Sequence, residues 1–388
     1  MSDSEMMSIK DTSKNNNYSN TIEQASSIIH VAMRGAQELT HLVAEVHSTI
    51  NALPSPFNKH HQPSAKYAPF PYKIVSTAFS LLAKLSHILA PQSTEFNNPL
   101  AVRSQAAFNG VSGDKLEFWD SPLAIPLSLR GENGDFLDVA SWATDPAKGY
   151  VIFLHGLCES DLDWQRGQHH QDFYHELAQS GYKVAWLRYN TGRAIHHNGE
   201  EFAQLLQDHF ANQGKPIVLI GHSMGGLVMR SAMDWAEKQQ HTWLSRISHA
   251  AYLGSPHLGA PLERLGNKAN NLLNITPYTR PFMRLGNIRS RGIKDLRYAR
   301  ITEDNIVPHL PEHIEHLLIA SLWKSELNYD VLGDGIVPMS SALAQDEQGD
   351  VLFAPKLNRV TFSDMSHLAM LSDERIYQQL RQWLKFDL

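Results

Sequence analysis

Apolar and polar positions along this chain follow two rhythms. From Thr21, the residues Ile22, Ala25, Ile29, Ala32, Ala36, Leu39, Val43, Val46, Ile50 and Leu53 recur at alternating spacings of three and four. That is the period of one face of a helix. Pro54 and Pro56 stop it, because proline lacks the N–H that a helix interior needs. Ile74, Ala78, Leu81, Leu85 and Ile88 repeat the pattern up to Pro91. Residues 21–91 therefore read as a helical N-terminal extension, behind a polar tail at 1–20 expected to be disordered. Residues 92–114 read as a linker. From Lys115 the rhythm changes to short apolar runs, with strands expected at 116–119, 125–129 and 136–142. Apolar runs then alternate with helical stretches. Strands are expected at 151–154, 184–187, 217–220, 247–253, 317–322 and 360–362. Helices are expected at 173–179, 200–210, 227 to about 239, and 375–386. This alternation predicts an α/β fold over 115–388, with a mostly parallel central sheet and helices on both faces. Ligands of such sheets bind beyond the C-terminal ends of the strands.

The most informative stretch is Gly221, His222, Ser223, Met224, Gly225, between an apolar strand and a helical run. Gly-x-Ser-x-Gly in that context is a sharp turn that lifts a serine hydroxyl above the sheet, and Gly221 and Gly225 leave room for the turn. A serine hydroxyl attacks only when a base takes its proton, and the base needs a carboxylate to orient it. His367 follows the last expected strand. Asp334, between Gly333 and Gly335, falls between serine and histidine in the chain, with Asp330 and Asp364 as alternatives. Acyl chemistry also needs N–H donors for an oxyanion. The Met224 N–H is one candidate, and the Leu157 N–H, in the turn His155–Gly156–Leu157 after strand 151–154, is the other. His222 is expected to point away from the site and pack beneath the turn.

Composition narrows this picture. Apolar residues make up 42% and charged residues 19%, as in folded globular chains. A net charge of −6 gives no reason to expect nucleic-acid binding. Cys158 is the lone cysteine, so no internal disulfide is possible, and a cytoplasmic location is expected. No secretory signal and no apolar stretch long enough to cross a membrane is evident. The 21 histidines include no metal-ligand motif. No metal and no cofactor is expected, and Asp346, Glu347 and Asp350 match no calcium site.

Together these residues resemble the α/β-hydrolase superfamily over about 116–388. The segment Leu253, Gly254, Ser255, Pro256, His257, Leu258, Gly259, Ala260 and the run Asp334–Gly335–Ile336–Val337–Pro338 resemble bacterial lipases and GPI inositol-deacylase-like proteins. The resemblance implies an α/β-hydrolase fold and a serine carboxylic-ester hydrolase, esterase- or lipase-like, using Ser223, Asp334 and His367. It also implies a cap or lid at 262–311, where Arg280, Arg284, Arg289, Arg291, Arg297 and Arg300 suggest attraction of an anionic head group, against a plainly solvated face. The expected partner is an ester with an apolar acyl chain. Peripheral membrane contact or a homodimer through the N-terminal helices stays open. Two alternatives also stay open: acyl transfer on the same triad, and a binding protein that keeps the fold without the activity.

Overall fold

The computed structural model describes residues 98–165, 167–212, 214–260, 290–323 and 333–385. The polar tail, the two expected N-terminal helices, residues 262–289 of the expected cap and Asp330 lie outside them. The chain divides into two compact units. One comprises 1–96 and 115–124; its described part carries the last turn of a helix and a turn closed by Ser121 N–H donating to the Leu116 carbonyl at 2.9 Å. The other, 97–114 and 125–388, contains the sheet and the site.

The first described element is helix α1, Pro99–Phe118. Asn98 caps it, its side-chain oxygen accepting from Leu100 N–H at 2.9 Å, and Pro99 occupies the first helical position, where a missing N–H costs nothing. Buried Val102, Ala106 and Asn109 recur at helical spacing along it. The expected linker at 92–114 is thus helical from Pro99 onward. The expected strand at 116–119 is instead the end of α1, because a four-residue apolar run reads equally well as the last turn of a helix.

Strand β1, Ser128–Arg130, is shorter than the run expected at 125–129. The run expected as a strand at 136–142 makes only a single bridge, Phe136 to Arg130, and then turns into helix α2, Val139–Thr144. Then follow β2, Gly149–Leu154; α3, Asp161–Trp164; α4, Gln168–Gln179; β3, Tyr182–Arg188; α5, Ile195–Phe210; β4, Ile217–His222; α6, Met224–Lys238; and β5, Ile247–Leu253. Beyond them come α7, Arg291–Tyr298; β6, Glu315–Ser321; α8, Met339–Ala342; a short hairpin of β7, Gln345–Asp346, and β8, Gly349–Asp350; β9, Leu357–Phe362; and α9, Glu374–Leu384.

Seven strands form one sheet in the order β1-β3-β2-β4-β5-β6-β9. Only β1 runs antiparallel to its neighbour; all other pairings are parallel, as the alternation of strands and helices predicts. Side chains alternate across the pleat. Tyr150, Ile152 and Leu154 of β2 join a core with Phe202 and Leu206 of α5 and Leu227 and Val228 of α6. Val151 and Phe153 face the opposite core, with Phe173 and Leu177 of α4 and Tyr377 and Leu380 of α9. The sheet is therefore covered on both faces, which explains why Val151–Leu154 of β2 and Ile217–Ile220 of β4 read as unbroken apolar runs. The parallel strands β4, β6 and β9 all end at the same edge; Ser223 follows β4 directly and His367 lies shortly after β9, while residues 324–332, between β6 and Asp334, lie outside the described residues. No helix among the described residues is long and apolar enough to cross a membrane.

Candidate active site

Ser223 is the one residue between β4 and α6. Its backbone sits at φ +53° and ψ −121°. A residue with a side chain in that region costs on the order of 1–3 kcal/mol and persists only where its surroundings hold it. Here Ser223 N–H donates to the Leu253 carbonyl of β5 at 2.8 Å. The turn also needs close backbone approach on both sides of the serine. A Cβ on Gly221 would lie 2.5 Å from Gly226 N, and one on Gly225 would lie 2.5 Å from the Leu154 carbonyl oxygen. Met224 opens α6, so the positive end of a 15-residue helix faces the serine and favours negative charge there.

His367 begins a short helical turn after β9, and its Nδ1 lies 2.6 Å from Asp334 Oδ2. The other oxygen of Asp334 accepts from Ile336 N–H at 2.9 Å and Val337 N–H at 2.8 Å. His367 N–H also donates to the Asp334 carbonyl at 3.1 Å. Both side chains are almost wholly buried. The carboxylate is thus fixed by its own loop and faces Nδ1, which leaves Nε2 as the ring nitrogen not engaged by Asp334. The pairing falls to Asp334 rather than Asp364. A Cβ on Gly254, in the Leu253–Ala260 segment, would lie 3.1 Å from both Asp334 Oδ2 and the His367 ring.

The turn after β2 lies directly against the serine. A Cβ on Gly156 would come within 2.9 Å of Ser223 Cβ. Glu159 N–H closes the turn on the Gly156 carbonyl at 3.2 Å, with Leu157 at its crown. His155 is buried, stacks on Tyr189 at 4.4 Å, and receives the Tyr189 hydroxyl on its carbonyl at 2.7 Å. Burial pushes its pKa below the ordinary value, so it is a neutral strut of the turn. Cys158 N–H donates to Thr191 Oγ1 at 3.2 Å. Burial, aided by the nearby Glu159 charge, pushes the Cys158 thiol up to about 12, which makes it a poor nucleophile.

Beneath the serine lies a pair that sequence reasoning missed. Glu159 Oε2 accepts from Gly156 N–H at 2.7 Å and lies 2.9 Å from His222 Nδ1. The other ring nitrogen of His222, Nε2, lies 3.1 Å from the His367 carbonyl oxygen. Both nitrogens face acceptors, so the arrangement is satisfied when His222 carries both hydrogens and Glu159 is ionised. Burial opposes charge on each. The His222 charge and the hydrogen bonds from His222 and Gly156 nevertheless bring Glu159 down to about 2, and Glu159 in turn raises His222 above its ordinary value. His222 does pack under the turn, as its place beside the serine predicts, but as half of an ion pair. Glu159 is invisible in the sequence because nothing there distinguishes a buried glutamate from a surface one. Its spacing of three from Gly156 is the only signal, and it has meaning only once the turn is known.

Among the described residues no three His, Cys, Asp or Glu side chains gather as metal ligands. Asp350 pairs with Arg359 at 3.0 Å. Of the arginines in the expected cap, Arg280, Arg284 and Arg289 lie outside the described residues, while Arg297 and Arg300 lie over the Tyr298 ring at 5.5 and 5.1 Å.

Three solved structures illustrate what the chain resembles in outline. The Bacillus licheniformis lipase BlEst2 in mature form matches at 16% identity, covering 62% of this chain and 93% of that one, with a TM-score of 0.43. A soluble variant of monoglyceride lipase from Saccharomyces cerevisiae matches at 15% identity, over 62% and 87%, with a TM-score of 0.40. The thioesterase RedJ of the prodiginine pathway of Streptomyces coelicolor matches at 13%, over 61% and 86%, with a TM-score of 0.40. No curated protein matches the sequence. The family model described as "Alpha/beta hydrolase family" matches residues 151–379, more than half of the chain and the span from β2 into α9. With the sheet order, the serine turn and that match agreeing, the chain belongs to the alpha/beta hydrolase family.

Proposed function

We propose that the protein is a serine carboxylic-ester hydrolase. The observation that carries this reading is the hydrogen bond from His367 Nδ1–H to Asp334 Oδ2 at 2.6 Å, at the sheet edge where Ser223 stands on its strained turn. In this mechanism Ser223 Oγ attacks the ester carbonyl carbon, and His367 Nε2 takes the hydroxyl proton. Asp334 orients the ring and stabilises the imidazolium. The oxyanion is held by the N–H groups of Leu157 and Met224, each worth roughly 3 kcal/mol of barrier. His367 then gives its proton to the leaving alkoxide, and an acyl-enzyme remains on Ser223. Water, deprotonated by His367, attacks the acyl carbon; the acid leaves and Ser223 regains its proton. The residues support this cycle without a metal or an organic cofactor. An ester with an apolar acyl chain is the substrate class. The lone cysteine agrees with a cytoplasmic setting. The test is turnover of p-nitrophenyl esters from acetate to palmitate by wild type beside Ser223→Ala. Wild-type activity that disappears in the variant supports the reading. Activity that survives overturns it.

A further inference from the structure

Two buried hydroxyls from the end of β3 and the loop after it grip the turn that follows β2. The Tyr189 hydroxyl donates to the His155 carbonyl at 2.7 Å, and Thr191 Oγ1 accepts from Cys158 N–H at 3.2 Å. They meet the turn on either side of Leu157. Cys158 sits at φ +62°, a region that residues with a side chain rarely adopt unless their surroundings hold them there. Thr191 holds it on one side. On the other, α1 packs so closely that a Cβ on Gly110 would lie 3.0 Å from Cys158 Cα. The loop that carries Thr191 is itself fixed. Gly192 N–H donates to Asn190 Oδ1 at 3.0 Å, Asn198 Nδ2 to the Asn190 carbonyl at 2.9 Å, and Asn190 Nδ2 to the Gly113 carbonyl of α1 at 2.9 Å. Helix α7 closes the far side, with Gly292 N–H donating to the Gly192 carbonyl at 3.0 Å.

We infer that Thr191 is a positioning residue of the oxyanion site, which with Tyr189 fixes the turn so that Leu157 N–H is presented to the ester oxygen as it becomes negative. The inference rests on the hydrolase reading above. Its logic is that of three successive peptide units. The His155–Gly156 unit is engaged at both ends, its carbonyl by the Tyr189 hydroxyl and its N–H by Glu159 Oε2 at 2.7 Å. The Leu157–Cys158 unit is held at its N–H by Thr191. Between them, the Gly156 carbonyl accepts from Glu159 N–H at 3.2 Å, which turns it into the loop. In a trans peptide the N–H points opposite to the carbonyl, so Leu157 N–H faces out of the turn. Among the described residues it meets no acceptor, whereas Gly156, Cys158 and Glu159 N–H each have one. A donor of this kind lowers a barrier only when it is already in place as the charge develops, because reorientation at that moment cancels the gain. Thr191 supplies that fixity to the peptide unit that follows the donor.

Thr191→Val keeps the shape of the side chain and removes the acceptor, and Thr191→Ser keeps the acceptor. On p-nitrophenyl butyrate, Thr191→Val lowers kcat by about tenfold to a hundredfold with KM within about twofold of wild type, the scale of a misplaced group rather than of lost binding. Thr191→Ser restores kcat to within about threefold of wild type, because a hydroxyl again meets Cys158 N–H. The inhibition constant of an alkyl trifluoromethyl ketone, whose adduct with Ser223 carries the oxyanion, rises by the factor by which kcat/KM falls. The acid limb of the kcat/KM profile, set by His367, stays at its wild-type pH, since the Asp334–His367 pair is untouched. Tyr189→Phe removes the other hydroxyl and gives a loss of the same kind, which serves where circular dichroism shows Thr191→Val unfolded. Wild-type kcat in a folded Thr191→Val overturns the assignment. So does a loss that Thr191→Ser fails to restore, or one that moves the acid limb and leaves the ketone affinity unchanged. A wild type that neither cleaves the ester nor binds the ketone overturns the hydrolase reading itself, a result distinct from these.

Discussion

Replacing Glu159 by glutamine tests the buried pair beneath the serine. Glutamine keeps the size and one acceptor oxygen, so Gly156 N–H retains a partner. It cannot balance a charge on His222, 2.9 Å from the present carboxylate. Removing one partner of a buried ion pair costs roughly 3–5 kcal/mol when the other stays charged. His222 escapes that penalty by losing its proton, so the loss reduces to one charge-assisted hydrogen bond, about 2 kcal/mol. For a unit of this size that is a fall in Tm of about 3 °C. The pH dependence has a definite sign. His222 is raised above 6.5, so its contribution is complete below that value and is lost as pH rises through the raised one. Glu159 is lowered from 4.5 to about 2, so its contribution is complete above 4.5 and is lost as pH falls toward 2. The Tm gap between wild type and variant is therefore widest between these ordinary values and narrows on both sides. The pair also joins the Leu157 turn to the backbone of His367, so kcat on a simple ester falls about tenfold or more with KM little changed, short of the hundredfold or greater loss of an oxyanion donor itself. Thermal scans across pH and steady-state kinetics read both effects. A variant with wild-type Tm at every pH and wild-type kcat would refute the reasoning.

Two further outcomes follow from the geometry. Asp334→Asn keeps an oxygen for the Ile336 and Val337 N–H groups and turns its NH₂ toward His367 Nδ1. The ring is driven to the tautomer that cannot accept the Ser223 proton, and kcat on p-nitrophenyl esters falls about 10⁴-fold while the far-ultraviolet circular dichroism stays that of wild type. Cys158, with its thiol pushed up to about 12, resists iodoacetamide at neutral pH in the folded chain and takes up one equivalent once unfolded in guanidinium, as intact mass reads directly.

The parts of this protein legible in its sequence are those where local chemistry and tertiary context agree. The strands ending at Leu154, His222 and Leu253 carry apolar runs, Val151–Leu154 and Ile217–Ile220 the clearest, because both faces of the sheet are covered, and such runs stand out. The serine turn shows itself because only glycines fit at 221 and 225. Chain order, combined with the rule that parallel strands deliver their C-terminal ends to one edge, singles out Asp334 and His367, and the structure pairs the two side chains at 2.6 Å. The misreadings arise where a short run admits two structures. Residues 116–119 end a helix whose start, Asn98–Pro99, is a capping signal hidden within an expected linker. Residues 136–142 contain enough apolar side chains for a strand, yet after the Phe136 bridge the backbone becomes helical. Glu159 is a different kind of miss. Its role comes from burial beside His222, and burial of a single charged residue is a property of the fold.

The most direct test of the central claim is labelling by a fluorophosphonate, which reacts only with a serine activated by its histidine. The account predicts one equivalent of probe, mapped by peptide mass to Ser223, absent in Ser223→Ala and strongly slowed in Asp334→Asn. Ester turnover should vanish in step with the label. Probe found on another residue, or ester turnover that persists in Ser223→Ala, would contradict it.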